Sequence, residues 1–344
     1  MTKHQLPLFE DKTLLPTGKH HVSYSEISDW MDCSERHRLK HIQKIDLDKP
    51  SIHTEFGKAI HDALEGFVMS RTIPDPVATE KVFEELMEAL RDKHGVTYPE
   101  KELASFRSSI PGILEAAPKF LDKEFPGWKG HAAELPLFEA VDGQVNKRFK
   151  GFVDAVLLVP RKKRGVHAKK HKEEALEIDS KHPPMRFSDL LARHKSENSS
   201  TIAEEVLVST PPKTLGEPTP GGLALSDDYD YFIMDWKTTS FGWDPMKKRD
   251  FQKQLQLMLY KHFFCKLANV PLDRVKCGFV LLKRTARKSD GSRVELVPVS
   301  VGPKAEEKAL AVLHDMINQI QTGRTIKNRA SCRYCAYNGT PHCT

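Results

Sequence analysis

An apolar run that ends in an acid and an amine is the feature that most constrains this chain. Residues 231–234, Tyr-Phe-Ile-Met, are aromatic or aliphatic, and the chain continues as Asp235-Trp236-Lys237. Such a run predicts a buried strand. Because residues two apart on a strand share a face, Asp235 and Lys237 are expected to project together. They could form a plain ion pair, or Asp235 could bind a hard divalent cation through oxygen.

A second carboxylate interrupts another apolar strand. Asp154 is the single charged residue between Gly151 and Pro160. Burying a lone carboxylate costs several kcal/mol unless it is paired or bound to a metal. Arg148 or Lys150 could pair with it. The alternative is that Asp154 and Asp235 share one cation.

The remaining pattern predicts an α/β core with a mixed sheet flanked by helices, and a helical N-terminal region. The turn signal Asp142-Gly143 predicts an antiparallel hairpin between residues 134–141 and 147–159. Further strands are predicted at 230–238, 274–283 and 292–300. Helical spacing and N-cap residues predict helices at 23–39, 57–68, 79–93, 101–124, 251–268 and 303–322.

Two regions lack periodic apolar content. Residues 1–20 are expected to form a flexible tail, which leaves 21–344 as one domain. Residues 161–228 are basic and then rich in Ser, Thr, Pro and Gly, so we expect an irregular, partly disordered insertion with one short helix near 186–194.

Composition narrows the class of protein. The net charge is +6 and the basic residues occur in separate clusters, which permits an anionic partner without requiring one. No stretch approaches the ~18 apolar residues of a membrane span, and the N-terminus lacks a signal-peptide core. A cytoplasmic location is therefore expected, and the six cysteines favour thiols or cluster ligands over disulfides.

The segments GFVDAV and IMDWKTT together resemble the Asp…(Asp/Glu)-x-Lys signature of the PD-(D/E)xK nuclease superfamily. Three further motifs, in the same order, resemble its RecB- and AddB-type branch. The first is Gly57-x-x-x-His61-x-x-x-Glu65, whose residues share one helix face. The resemblance implies that His61 is an additional metal ligand, while Glu65 orients its neighbours.

The second motif is Gln256-x-x-x-Tyr260, which follows the Asp-x-Lys strand. In the family this pair lines the DNA path and supports the active site. Gln252 and Gln254 offer competing registers.

The third motif is Cys332-x-x-Cys335-x-Tyr337, which resembles the C-terminal end of the iron–sulfur members. The resemblance implies a [4Fe–4S] cluster held by Cys33, Cys332, Cys335 and Cys343, stapling the N-terminal helix to the C-terminal tail. Ser34 replaces the usual proline, and seven residues rather than about five separate Cys335 from Cys343. Zinc is the rival metal, since four thiolates also suit it, and His342 is an outside candidate for the fourth ligand. Cys265 and Cys277 are expected to lie in the core.

The resemblance implies a metal-dependent DNA nuclease. We expect Asp154, Asp235 and the backbone carbonyl of Trp236 to hold Mg²⁺ or Mn²⁺ with His61, and Lys237 to position the attacking water. Glu134 is a further acidic candidate. Trp243 or Phe241 could stack on unpaired bases or simply pack in the core.

The implied substrate is DNA with free ends or single strands, cleaved as an exonuclease in recombination, repair or processing, with a helicase or recombination protein as partner. Two alternatives remain open. One is a non-catalytic subunit that binds or scaffolds DNA ends, and the other is a structure-specific or restriction-type endonuclease.

Overall fold

The computed structural model describes residues 14–48, 50–161, 228–289 and 291–343. Contacts along the chain divide it into one unit, Met1–Val159 with Asp230–Thr344, and a second, Pro160–Tyr229. The described α-helices are α1 (Tyr24–Asp32), α2 (Ser34–His37), α3 (Ile52–Ser70), α4 (Pro76–His94), α5 (Glu100–Arg107), α6 (Ile110–Glu124), α7 (Pro245–Arg249), α8 (Phe251–Ala268) and α9 (Pro303–Gln321). A π-helical turn follows α2, and short 3₁₀ turns occur at Leu272–Arg274 and Arg329–Tyr334.

Six strands form one mixed sheet. They are β1 (His21–Ser23), β2 (Lys129–Ala140), β3 (Arg148–Pro160), β4 (Tyr229–Thr239), β5 (Val275–Lys283) and β6 (Val294–Val299). The strand order is β1-β3-β4-β5-β6, and β2 also pairs with β3. β1 with β3 and β4 with β5 are parallel, whereas β2 with β3 and β5 with β6 are antiparallel. This is the predicted α/β class, with a helical N-terminal region and a mixed central sheet.

The alternation of β4 decides which side chains meet which helices. Phe232, Met234 and Trp236 belong to the apolar cluster built with α3 and α6. The side chains of opposite parity therefore project toward the other layer, where the ring of Tyr231 packs against Phe264 of α8. Asp235 and Lys237 have that second parity, so the strand presents them to α8.

The structure corrects some predicted boundaries. The helix expected at 23–39 is broken at Cys33, whose backbone is extended with φ −168° and ψ 116°. The helix expected at 101–124 is two helices, α5 and α6, separated by two serines. The first hairpin strand begins at Lys129, five residues before its predicted start. The expected insertion at 161–228, with its short helix, lies almost wholly outside the described residues.

The sequence pattern did not predict two short elements, β1 and α7. β1 has three residues and α7 has five, too few for a period to be recognised. In the described ranges, every helix is too short or too polar to cross a membrane.

Candidate metal centre

Two adjacent antiparallel strands bring the first pair of carboxyl groups together. The β2–β3 register pairs Ala133 with Ala155 and Leu135 with Val153, which sets Glu134 opposite Asp154. Glu134 adopts a left-handed backbone conformation, with φ 46°. Such a conformation costs a non-glycine residue about 1 kcal/mol or more, and strain of this kind clusters at functional sites.

The histidine of the helical motif reaches the same place from α3. His61 Nδ1 lies 3.5 Å from Asp154 Oδ2. The two residues form, with Glu134, a group whose potential ligand atoms all lie within 4.8 Å of one another; among the described residues it is the one group of three such side chains at that spacing. The structure thus gathers three of the predicted candidates from three separate elements.

Asp235 lies beside this group, at the adjoining position of β4. The backbone N–H of the next residue, Trp236, donates a 2.7 Å hydrogen bond to Asp154 Oδ2. That bond ties the two acidic strands together. The predicted carbonyl ligand is on this same Trp236.

Asp235 is almost fully buried, and its two oxygens have different surroundings. Oδ1 accepts a 2.6 Å hydrogen bond from Gln256 Nε2 of α8. Oδ2 lies 2.6 Å from Lys237 Nζ. That contact has the distance of an ion pair but not the direction of a hydrogen bond, and within the described residues Oδ2 has no well-directed donor. One carboxylate oxygen is therefore fixed, and the other keeps coordination capacity.

The second predicted motif is organised around Gln256. Its amide also contacts the Tyr260 hydroxyl at 3.2 Å. Tyr260 packs against Gly151 of β3, where an added Cβ would lie 2.7 Å from the ring, so only glycine allows this approach. The two other glutamines have different partners: Gln252 bonds to Ser28 and Asp32 of α1, while Gln254 bonds to the Lys248 carbonyl.

Burial and mutual repulsion raise the carboxyl pKa values. Burial raises the pKa of Asp154 to about 6 and that of Asp235 to about 6. Burial, with Asp154 and other carboxylates nearby, raises the pKa of Glu134 to about 7. Burial lowers the pKa of His61 to about 4, so its ring is neutral at pH 7 and can offer a nitrogen lone pair.

The amine responds in the opposite way. Burial would lower the pKa of Lys237, but the carboxylates of Asp235 and Asp154 outweigh that effect and raise it. Lys237 therefore carries its proton at neutral pH. It is suited to neutralise negative charge or to orient an oxygen, rather than to accept a proton.

These residues fit a divalent cation. Carboxylates pushed toward their protonated forms recover charge when a cation replaces the proton. The donor set of two or three carboxylates and a neutral imidazole suits Mg²⁺ or Mn²⁺, the former through oxygen alone. Asp235 Oδ2 lies against the Lys237 ammonium but accepts no well-directed hydrogen bond, so it can serve as a ligand atom when Lys237 moves aside.

The four cysteines of the predicted cluster line one cavity of about 80 Å³. Cys33 sits at the break after α1, and its Sγ accepts from the Asn328 N–H at 3.4 Å. Ser331 and Asn328 side chains both donate to the Asp32 carbonyl. His342 is not among the residues that line the cavity. Cys265 and Cys277 are buried in α8 and β5, which confirms the prediction that they are core residues.

Two residues make interactions near the candidate sites that the sequence did not predict. Asp62 raises the pKa of Glu134 through its charge, yet a single acidic residue on a helix turn predicts nothing. Ser34 exchanges hydrogen bonds with Ile326, its Oγ donating to the carbonyl and accepting from the N–H. Only the folded tail reveals that partner.

Comparison with known families adds independent support. The family model of the PD-(D/E)XK nuclease superfamily matches residues 21–206 and 223–340 of this chain. No curated protein matches the sequence at a significant level. Since the family match spans most of the chain and includes both acidic strands, the chain belongs to the PD-(D/E)XK nuclease superfamily.

Proposed function

We propose that this chain is a deoxyribonuclease that hydrolyses phosphodiesters at DNA ends or in single strands, as an exonuclease using Mg²⁺ or Mn²⁺. The observation that carries the proposal is the convergence of His61, Glu134 and Asp154 to within 4.8 Å, with Asp235 joined to them through the Trp236 N–H. Carboxylates from neighbouring strands of one sheet are thereby brought close together. A structural ion pair requires one carboxylate, whereas this group contains several.

In this proposal Asp154 and Asp235 hold the cation, with His61, Glu134 and the Trp236 carbonyl as further ligands. A divalent ion bound there would lower the pKa of water and stabilise charge on the phosphate. Lys237 stays charged, because its pKa is raised by the neighbouring carboxylates. Its ammonium group orients the attacking water and offsets the negative charge that grows on the phosphate oxygens.

Gln256 has a positioning role in the same scheme. Its 2.6 Å hydrogen bond fixes Asp235 Oδ1 and so limits rotation of the carboxylate. Outer contacts of this kind orient metal ligands and commonly change affinity by about 10–100-fold when removed. Tyr260 in turn supports the amide through its hydroxyl.

The direct test uses a single-stranded oligonucleotide labelled at either the 5′ or the 3′ end. Incubation with Mg²⁺ or Mn²⁺ should yield products from one terminus, with no cleavage in EDTA. The order in which the labels are released gives the polarity. Internal fragments appearing before terminal products would favour the endonuclease alternative, and the absence of cleavage under all metals would defeat the proposal.

A non-catalytic DNA-end-binding subunit is the second candidate from another class. The retained set of His61, Asp154, Asp235 and Lys237 argues against it, because a fold kept for binding alone has no need of buried carboxylates at raised pKa. The same end-labelled assay separates the two, since such a subunit would shift the DNA without shortening it. Action beside a helicase or recombination protein remains part of the proposal and needs a binding partner to be isolated.

We also propose that the cysteine-lined cavity holds a [4Fe–4S] cluster. All four cysteines of the motif line it, together with Arg36, Lys327 and Arg329, whose charges complement thiolates. The resemblance of the Cys332-x-x-Cys335-x-Tyr337 motif to the iron–sulfur members favours this cluster over zinc, which four thiolates also suit.

Anaerobic purification tests the cluster. Broad absorption near 400 nm with about four irons per chain would support it. A colourless protein with one zinc per chain would favour the rival metal.

A further inference from the structure

A group of cations beyond the metal centre surrounds one carboxylate. Glu295 of β6 lies 3.0 Å from Arg287 and 3.6 Å from Lys283, and it also pairs with Lys248 of α7. Burial opposes the charge of Glu295, but these three cations outweigh that effect and lower its pKa. The three cations and the carboxylate together carry a net charge of +2 at neutral pH.

The register of the sheet relates this group to the metal centre. Lys237 of β4 pairs with Leu281 of β5, and Leu281 pairs with Glu295 of β6. Paired residues on neighbouring strands project from the same face, and adjacent strands lie ~4.8 Å apart. Glu295 thus projects from the face that carries Lys237, two strand spacings or about 10 Å away across the sheet. That span equals roughly three nucleotides of a stacked strand at ~3.4 Å each.

Another cation lies at the end of β4, the strand that carries Asp235 and Lys237. The guanidinium of Arg284 donates to Ser240 Oγ and lies 3.8 Å from the centre of the Phe106 ring. Burial lowers its pKa, and Glu102 is the carboxylate that opposes this effect. A hydroxyl and a ring thus fix the guanidinium at the end of β4.

The loop after β4 passes beside Glu295, since a Cβ added to Gly242 would lie 3.1 Å from Glu295 Oε2, and it displays an aromatic ring. Phe241 is 69% exposed, whereas Trp243 is 9% exposed. The loop is anchored, because Arg284 N–H and Thr285 N–H donate to the carbonyls of Thr239 and Ser240. The indole of Trp243 packs on Phe279. Of the two aromatic candidates in the sequence, Trp243 is therefore a packing residue and Phe241 faces solvent.

We propose that this strand-end surface binds an unpaired DNA strand next to the phosphate to be cleaved. It comprises Phe241, Lys248, Arg284, Arg287 and Glu295. Lys248, Arg284 and Arg287 contact phosphates, and Glu295 holds Lys248 and Arg287 in place. Lys283 is buried and acts only by pairing with Glu295. Phe241 stacks on a base, which requires that the base be unpaired. The location rests on the proposed function, but binding at this surface does not require metal.

The test measures binding in EDTA, where cleavage cannot contribute. Fluorescence anisotropy would compare a fluorescein-labelled 12-nucleotide oligothymidylate with a 12-base-pair hairpin duplex. The variants are Phe241→Ala and Arg287→Ala, both exposed, so neither should disturb the core. The controls are Ile73→Ala and Arg91→Ala, which remove side chains of comparable exposure outside the strand-end surface.

Phe241→Ala should weaken binding of the single strand about tenfold and of the duplex less than about twofold. Arg287→Ala should weaken both several-fold and reduce the slope of log Kd against log salt by about 0.7 on the single strand. Both controls should stay within about twofold of the wild type.

Equal losses for single strand and duplex in Phe241→Ala, or no loss in either variant, would overturn the proposal. A stronger loss on the duplex would assign the surface to paired DNA instead and would equally contradict it. These outcomes are separate from those of the proposed function. A wild-type protein that binds as expected but never cleaves would refute the nuclease activity and leave the surface intact.

Discussion

The metal centre and the cysteine-lined cavity are built from different kinds of structure. The side chains of the metal centre stand on strands and long helices, and Asp235 is 1% exposed. The cysteines stand at a helix break, in a 3₁₀ turn and in the irregular tail, and all four are half-buried. Regular elements and directed hydrogen bonds position the first set. The second set lies on short and irregular segments, so we expect a cluster bound there to stabilise the fold.

This contrast predicts opposite effects in the two regions. Substitutions in the candidate metal centre should abolish cleavage without unfolding the protein. Substitutions of the cavity cysteines should lower the folding stability and leave the cleavage rate of the folded molecules unchanged.

The largest effect is expected at the acidic strands. Asp154→Asn or Asp235→Asn should lower the cleavage rate by on the order of 10³-fold or more, because each removes a charge that holds the cation. Thermal unfolding should show a melting temperature no lower than that of the wild type, since a buried charge is lost. Asp142→Asn, at an exposed carboxylate paired with Lys266, is the control and should cleave normally. Substantial cleavage by either strand variant would contradict the assignment.

The complementary change is Cys332→Ala. Loss of a ligand that helps to join residue 33 to the C-terminal tail should lower stability by about 3–5 kcal/mol, by analogy with other long-range cross-links. Thermal melting and the yield of folded protein measure this. Folded molecules that survive should keep their metal-dependent cleavage.

The control for Cys332→Ala lies in the same segment. Tyr334 is 86% exposed between the two cysteines, and Tyr334→Ala should leave the melting temperature unchanged. If Cys332→Ala melted like the wild type but had lost cleavage, the cavity would be part of the chemistry and the contrast between the two regions would fail.

A smaller effect is expected one contact away from the metal. Gln256→Leu removes the donor that fixes Asp235 Oδ1 and should weaken Mn²⁺ binding by about 10–100-fold. Isothermal titration would measure the affinity. Gln254→Leu is the matched control, since that amide bonds to the Lys248 carbonyl instead. Equal affinities of the two variants would show that Gln256 only packs.

The smallest effect concerns pH and the metal-free protein. Burial raises the pKa of Glu134 to about 7, from an ordinary glutamate value of 4.5. The folded state therefore retains a proton that the unfolded state has lost, and stability falls as pH rises between about 4.5 and 7. Glu134→Gln mimics the protonated group. In EDTA it should be more stable than the wild type at pH 8 and of similar stability at pH 4.

Glu139→Gln, on the same strand, gives the baseline for that comparison. A difference between wild type and Glu134→Gln that stays constant from pH 4 to pH 8 would show that the carboxyl group titrates in its ordinary range.

The sequence predicts that the acidic side chains of the candidate metal centre lie together, because strand alternation is a local rule. Two charges spaced by two residues must share a face, and a lone Asp154 in an apolar strand must have a partner. The partners themselves are non-local. Only Tyr260, one helical turn later, distinguishes Gln256 from Gln252 and Gln254 in the sequence, and the contact of Gln256 with Asp235 appears only in the folded chain.

The break at Cys33 shows the converse limit. Ile27, Trp30 and Met31 continue a helical period, so the sequence predicts one helix through residue 39. Tertiary contacts end the helix earlier, because the side chains of Asn328 and Ser331 in the tail donate hydrogen bonds to the Asp32 carbonyl. Contacts of this length, close to 300 residues apart, leave no trace in a local pattern.

The most direct test of the account is anomalous diffraction from crystals grown with Mn²⁺. We predict one peak within about 2.0–2.6 Å of carboxylate oxygens from both Asp154 and Asp235. A peak bound elsewhere, or one bound by Asp154 while Lys237 still pairs with Asp235 Oδ2, would contradict the claim that the two strands share one ion.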